Sequence, residues 1–274
     1  MDKFAIHCVI PTLNSAATLE TTLVSLLTQA DVQLRLTVAD SHSTDATLRL
    51  CAERNIQTVF AEPGNMYRAI NLGLRDSQTE WLTYLNSDDW LYPDSYRRLM
   101  EAGEAAQADL VYGNCDYADG AGRFVYSFAA ARPEQLLALF RCRRMGFAQP
   151  AAIFRRTLWA ELKGFDESYR YKADADFFIR ALQAGKRFVY VDGPAIACFR
   201  VHASQLSLRN VEEIEQEGQR LFGQAALQPN RRDWLTLLAW RYRNAPHYLL
   251  RMLRASLLAQ RLRAPQSLET YDHR

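Results

Sequence analysis

Two adjacent carboxylates, Asp88 and Asp89, stand directly after an apolar run from Trp81 to Leu85. Neighbouring acids at the carboxyl end of a buried strand repel each other and resist burial, so something must compensate. A divalent cation carrying a phosphorylated ligand would do so. So would the free N–H groups of a helix starting near Pro93, which the pair could cap. A second polar cluster, Asp40-Ser41-His42-Ser43-Thr44-Asp45, follows another apolar run. A third, Asp174-Ala175-Asp176, opens a helical pattern. Asp174 can take a proton from an attacking hydroxyl, or it can serve as an N-cap. Asp176 reads as a first-turn acid favoured by the helix dipole. Arg68 can pair with a phosphate or stay solvated on its helix. His202, after Arg200-Val201, is a metal ligand or a structural hydrogen-bonder. His7, inside the first apolar run, reads as structural.

These residues need elements to hold them. Ala5 to Ile10 is an apolar run stopped by Pro11-Thr12-Leu13-Asn14, as expected of a strand buried on both faces. Ser15 can cap a helix whose apolar positions are Leu19, Leu23, Leu26 and Leu27. Strands follow at Leu34 to Ala39, Ile56 to Phe60 and Trp81 to Leu85, separated by helical patterns around Leu48 to Arg54 and Tyr67 to Leu74. Alternation of strand, polar loop and helix predicts a mostly parallel sheet covered by helices on both faces. Ligands of such sheets bind outside the carboxyl ends of the strands. The Thr12, Asp40-to-Asp45 and Asp88-Asp89 loops should therefore meet at one edge. No G-x-G-x-x-G follows the first strand and no G-x-x-x-x-G-K-S/T occurs, so a nucleotide would need another grip on its phosphates. A metal held by Asp88 or Asp89 supplies one.

Beyond Asp89 the pattern changes. Asp109 to Tyr117 reads as one strand, turned at Ala118 to Gly122 into a second at Arg123 to Phe128. Helices are expected at Pro133 to Phe140, at Thr157 to Leu162 and from Asp174. Strands are expected at Ala151 to Phe154, Arg187 to Val191 and Ala195 to Val201.

The 274 residues, 49% hydrophobic and 23% charged, suit an ordinary globular core. A net charge of +2 argues against a dedicated nucleic-acid binder. The 5 cysteines form no C-x-x-C pair and lie in apolar runs, which points to reduced thiols in a cytoplasmic protein. No signal-peptide pattern and no membrane-spanning run is expected. The charge is uneven, however. Between Arg231 and Arg263 lie eight arginines and one acid, Asp233, together with Trp234, Trp240, Tyr242 and Tyr248. On a helix Leu249, Met252, Leu253 and Leu257 share a face, with Arg251, Arg254 and Arg261 beside it. Such a helix can lie on an anionic membrane surface. It can equally pack on the body of the protein or on a second subunit of a homo-oligomer.

Together these segments resemble the family two nucleotide-sugar glycosyltransferases with the GT-A fold. The resemblance runs from about Ala5 to Ser207. Val9-Ile10-Pro11-Thr12-Leu13-Asn14 resembles the opening strand and loop. Asp40-Ser41-His42-Ser43-Thr44-Asp45-Ala46-Thr47 is similar to the D-x-x-S-x-D-x-T nucleotide loop. Gly64 to Gly73 matches G-x-x-x-x-A-x-N-x-G, and Leu85-Asn86-Ser87-Asp88-Asp89-Trp90 matches the metal motif. Gly164-Phe165-Asp166-Glu167 and Asp174-Ala175-Asp176-Phe177-Phe178-Ile179-Arg180 match the acceptor half.

The resemblance implies an α/β GT-A-like domain over 1–207. Residues 1–90 would form its nucleotide-sugar half and 91–207 its acceptor half, with a helical Arg-rich extension at 208–274. It implies donor contacts, normally to UDP, from Pro11, Thr12, Asn14, Asp40, Ser43, Arg68, Asn71, Asn86, Ser87 and Asp88. Manganese or magnesium would sit against the diphosphate on Asp88 or Asp89, with His202 nearby. Asp174 would be the catalytic base of an inverting transfer to a glycan or lipid-linked glycan acceptor, in the cytoplasm or on the inner face of the membrane. Two positions depart from the family pattern: Asn86 replaces the usual first acid of the metal motif, and Ala148 replaces the His found before Gln149 in many relatives. A degenerate sugar-nucleotide binding module is the non-enzyme alternative. A nucleotidyltransferase is disfavoured because its glycine- and arginine-rich nucleotide loop and early lysine are missing.

Overall fold

The computed structural model describes residues 4–202 and 210–257. Seven strands form the main sheet, in the order β10-β6-β9-β4-β1-β2-β3. These are β1 (Phe4–Thr12), β2 (Val32–Asp40), β3 (Gln57–Phe60), β4 (Trp81–Tyr84), β6 (Leu110–Gly113), β9 (Ala152–Arg155) and β10 (Phe188–Val191). All run parallel to their neighbours except β9, which is antiparallel to both β4 and β6. A smaller sheet, β5-β11-β7-β8, joins β5 (Trp90–Leu91), β7 (Cys115–Asp119), β8 (Phe124–Phe128) and β11 (Ala197–Val201).

Alternation along β1 sorts the two cores. Ile6, Cys8 and Ile10 face one cluster with α1 (Leu19–Leu27) and α4 (Ser95–Ala106). Val9 faces the other, with α3 (Met66–Leu74), α5 (Pro133–Arg141) and α7 (Ala173–Gln183). The central strands β1, β4, β6 and β9 are buried on both faces, as expected of strands inside a helix-covered sheet. Helix α3 lies very close to β1: a Cβ on Gly73 would come within 2.8 Å of both Val9 methyl carbons. The remaining elements are α2 (Thr47–Glu53), α6 (Arg156–Glu161), α8 (Val211–Phe222) and α9 (Arg231–Leu257). Leu221 and Phe222 of α8, and Leu237 and Trp240 of α9, belong to the same core cluster as α5 and α7.

Three local expectations change. Asp109 to Tyr117 is not one strand but two, β6 and β7, in different sheets. Asn114 between them makes the switch: its Nδ2 donates to Gly193 O at 2.8 Å, and its Oδ1 accepts from Ala130 N at 3.0 Å and the Tyr190 hydroxyl at 2.9 Å. An extended, apolar sequence on both sides hides that break. Ser15 does not cap α1, because a turn intervenes and the Ser15 hydroxyl bonds to Ser87 instead. Nor do Asp88 and Asp89 cap α4. Strand β5 separates them from it, and Asp94, in the left-handed region, precedes the helix. The 207 boundary lies outside the described residues.

Candidate active site

Register sets the site. Thr12 pairs with Asp40, and Asp40 with Phe60, so β1, β2 and β3 end at one level, while β4 stops opposite Val9 and its loop continues alongside β1. At this edge the three polar loops meet and bind one another. Asp40 is fully buried and accepts from Thr12 Oγ1 at 2.8 Å, from Ser43 N at 2.7 Å and from Ser43 Oγ at 2.6 Å. Asn14, at φ 52°, donates its N–H to Ser43 Oγ at 2.8 Å and accepts from Thr44 N at 2.8 Å. Asp45 accepts from Ala16 N at 3.0 Å and from Thr47 N at 2.9 Å. Desolvation pushes its pKa up, but the bonds from Thr47 and Ala16 outweigh this and leave it below the usual carboxylate range. Ser87 Oγ donates to Ser15 Oγ at 2.8 Å and so ties the β4 loop to the β1 loop. Pro11 is buried within β1.

The adjacent acids separate into two environments. Asp89 is fully buried: it accepts from the Arg200 backbone N–H at 2.9 Å and from Asn86 Nδ2 at 3.3 Å. Desolvation, with the neighbouring Asp88 charge, pushes its pKa well up. The Arg200 guanidinium donates to Asp88 O at 2.9 Å and lies over the Trp90 ring. The carboxyl group of Asp88 turns the other way and meets His202 Nε2 at 2.7 Å, with both side chains about one-fifth exposed (19% and 24%). The donor set fits a divalent cation shared with a diphosphate. Magnesium-type sites commonly take one or two protein ligands and complete their shell from phosphate and water. Asp88 and His202 supply two. Next to them Asn86 Oδ1 is buried without a hydrogen-bond partner, which leaves a strong acceptor for an incoming polar group. No group of three or more His, Cys, Asp or Glu side chains is gathered for a metal among the described residues.

Asp174 stands in the first turn of α7. It is the second residue of α7, and Lys172 holds the cap position without a side-chain bond, so the N-cap reading fails. Asp174 Oδ1 accepts from Ala175 N at 2.8 Å, and the Tyr67 hydroxyl bonds to the same carboxyl group. Burial raises its pKa, although these bonds pull the other way. The Tyr67 and Tyr84 rings meet edge to face at 6.2 Å, and Tyr84 feels the charges of both Asp174 and Asp89. The two tyrosines therefore stand within the electrostatic reach of Asp174, and Tyr84 within that of Asp89 as well. Asp176 is used for structure. It pairs with Arg180 at 2.7 Å, and Arg180 donates to Leu162 O and Gly164 O.

Asn71 and Arg68 bond to the turn at Phe165 to Glu167. Asn71 Nδ2 donates to Phe165 O at 2.8 Å and to Glu167 Oε1 at 3.0 Å, and its Oδ1 accepts from Phe165 N. Arg68 faces Glu167 at 3.4 Å, half exposed. Both brace the Gly164 turn. Ala148 packs in the core, and Gln149 Nε2 donates to Tyr84 O at 2.7 Å. Four residues here escape a reading of the sequence: Tyr67, Tyr84, Arg200 and Glu217. Glu217, on α8, accepts from the backbone N–H groups of Arg170 at 2.6 Å, Tyr171 at 2.9 Å and Lys172 at 3.1 Å. It thereby holds the segment that leads into Asp174. The contacts Arg200–Asp88 and Glu217–Lys172 span long stretches of chain, and no local motif marks them.

Comparison with known proteins places the family by sequence and the fold by structure. Residues 7–162 match the family model described as glycosyl transferase family 2. The succinoglycan biosynthesis protein ExoO of Rhizobium meliloti (strain 1021) is 31% identical over 199 residues, covering 65% of this chain and 56% of that protein. A PGL/p-HBAD biosynthesis glycosyltransferase of Mycobacterium bovis (strain BCG / Pasteur 1173P2) is 33% identical over 181 residues, covering 63% of this chain and 67% of that protein. This chain thus spans between about half and two thirds of the length of these relatives. Among solved structures, S. aureus TarS 1-349 in complex with UDP-GlcNAc superposes with a TM-score of 0.63 at 17% identity, over 80% of this chain and 65% of that one. Its complex with UDP gives 0.61 at 19% identity, over 80% and 64%.

Proposed function

The chain belongs to glycosyl transferase family 2, and on that premise we propose that it is an inverting, metal-dependent glycosyltransferase. It moves a sugar from a UDP-sugar to a hydroxyl of a surface polysaccharide or lipopolysaccharide intermediate. The names of the relatives, in succinoglycan and PGL/p-HBAD biosynthesis, support the acceptor class. The UDP and UDP-GlcNAc complexes of TarS support the donor class. The observation that carries the reading is the Asp88–His202 pair in the loop after β4 together with a separate desolvated carboxyl group, Asp174, in the first turn of α7.

The Asp40, Ser43, Thr12 and Asn14 cluster orders the loops that receive the nucleoside. Asn86 and Ser87 adjoin the ribose and diphosphate. Asp88 and His202 would hold manganese or magnesium, which when bound offsets the charge that builds on the leaving diphosphate. On the opposite face the acceptor oxygen attacks the anomeric carbon as the bond to the diphosphate oxygen breaks. Asp174 takes the hydroxyl proton. A carboxylate raised by burial is a better base near neutral pH than an ordinary one. Base and leaving group on opposite faces give inversion, and Asp176, locked to Arg180, is no second nucleophile.

The test pairs binding with turnover. UDP should raise the melting temperature in the presence of manganese, since a ligand that binds only the folded chain stabilises it. Asp174→Asn should keep that shift and lose transfer by roughly a hundredfold or more. Transfer by the wild-type should rise with pH through the raised Asp174 pKa and then level. Stabilisation by GDP in place of UDP would change the donor. Full activity in Asp174→Asn would overturn the base assignment.

A further inference from the structure

Helix α9 has two faces, and the protein uses only one of them. Counting about 100° per residue, Asp233, Leu237, Trp240 and Asn244 fall within one narrow arc. All four are buried against the body of the protein. Trp234, Leu235, Leu238, Tyr242 and Leu249 fall on the far side and are exposed by 49%, 58%, 59%, 85% and 62%. A single exposed leucine needs no explanation, but five large apolar side chains along one helix face do. Arginines frame this row. Arg231 extends it at the start of the helix, Arg241 borders one edge, and Arg232 and Arg243 border the other. The only acid between Arg231 and Leu257 is Asp233, and it sits on the buried face, 3.7 Å from Arg141. The outward face is therefore apolar in the middle, cationic at both margins and free of carboxylates.

Beside the row lies an open cleft of about 600 Å³ lined by Phe128, Arg144, Met145, Trp240, Arg241 and Leu249. It shares Arg241 and Leu249 with the row. Two guanidinium groups next to an apolar wall suit a phosphate attached to a hydrocarbon chain. No helix among the described residues is long and apolar enough to cross a membrane, so the face would lie on a bilayer without spanning it.

We propose that the outward face of α9 docks the protein on an anionic phospholipid surface. Trp234, Leu235, Leu238, Tyr242 and Leu249 enter the interface, and Arg231, Arg232, Arg241 and Arg243 face the headgroup phosphates. Aromatic and leucine side chains framed by arginine favour that boundary, and the charge of the face complements an anionic leaflet. The docking needs no donor or catalytic base, so it stands apart from the sugar-transfer reading. It has a consequence for that reading, since an acceptor carried on a lipid would be presented at the surface where the enzyme is held.

The test is flotation of the full chain with vesicles of phosphatidylcholine alone and of phosphatidylcholine mixed with phosphatidylglycerol. The wild-type floats with the mixed vesicles and is released by salt. Arg241→Gln with Arg243→Gln weakens partitioning by about 25-fold, taking about fivefold per arginine. Trp234→Ser with Leu238→Ser and Tyr242→Ser abolishes it. Each of these outward-facing variants should keep the wild-type melting temperature and its UDP response, which separates lost docking from lost folding. Asp174→Asn floats like the wild-type even if it is inactive. Failure to float with either vesicle, or equal binding to both, overturns the proposal. So does a concentration-dependent dimer by light scattering that the Trp234 triple variant dissolves while vesicles have no effect. In that case the face belongs to a second copy of the chain.

Discussion

Glu217 lies 43 residues after Asp174 in the numbering, on a different helix, yet it should control both the stability of the site and its turnover. Its two carboxylate oxygens accept three consecutive backbone N–H groups, from Arg170, Tyr171 and Lys172, just ahead of the first turn of α7. Glu213 reinforces the contact by accepting from the Tyr171 hydroxyl at 2.8 Å. Truncation in Glu217→Ala strips all three donors of a charged acceptor. A hydrogen bond to a charged group contributes about 1.5–3 kcal/mol when buried. Arg170 is exposed and the other two are partly so, which lets water replace some of the loss. About 1 kcal/mol per bond is then reasonable, or about 2–3 kcal/mol in all. For a chain of this size that lowers the melting temperature by roughly 5–10 °C. Glu217→Gln keeps one acceptor oxygen and should lose about half as much. Asp174 is two residues beyond Lys172, so its carboxyl group is displaced as the segment loosens. Turnover should fall on the order of tenfold or more, while UDP affinity, which the proposed reading assigns to the Asp40 and Asp88 loops, stays within about twofold. Urea melts, calorimetric UDP titration and initial rates on the same preparations measure all three. Unchanged stability in Glu217→Ala would refute the bracing argument. Lost UDP affinity with intact turnover would refute the division of labour between the two halves of the site.

Three further outcomes follow from the same geometry. The two adjacent acids should behave differently: Asp88→Ala should leave the urea midpoint nearly unchanged and erase the manganese-dependent UDP shift. Asp89→Ala strands the Arg200 N–H and Asn86 in a buried place and should cost about 3 kcal/mol; the reverse pattern in urea melts would exchange the two roles. His7 is fully buried, with Nε2 on Thr37 at 2.9 Å and Nδ1 unpartnered; burial, aided by the Arg35 charge, lowers its pKa from 6.5 to about 4. The unfolded chain then binds the proton more readily, so the stability is complete above about pH 6.5 and is lost as pH falls toward about 4, by up to about 3 kcal/mol. His7→Gln should flatten that part of the pH–stability curve, and an unaltered slope would assign it elsewhere. Gly73→Ala drives a methyl group into Val9 and should destabilise by about 1–2 kcal/mol, the overpacking exceeding the gain in helix propensity; a higher melting temperature would mean that α3 can move away from β1.

The first half of the chain was largely legible because its information is local. An apolar run followed at once by polar residues forces both a parallel strand and the loop at its end, so Thr12, Asp40 and the Asp88-Asp89 pair come to one edge by topology alone. The second half was legible in its elements but not in its connections. Asn114, one polar residue in an extended stretch, moves the chain from one sheet to the other. The sequence could not separate the roles of Asp88 and Asp89, because the residues that separate them are Arg200 and His202, more than a hundred positions away. Asn71 carries a similar ambiguity in the sequence. An amide with a donor and an acceptor serves a nucleotide or a turn equally well, and the bonds Asn71 makes to Phe165 and Glu167 against α3 come from residues more than ninety positions away. Residues that hold a site in shape thus carry no short-range signature. The carboxylates that would act in the reaction stand at strand and helix ends, where local sequence already marks them. This asymmetry explains why Glu217 left no mark in the sequence while Asp174 stood out as a candidate.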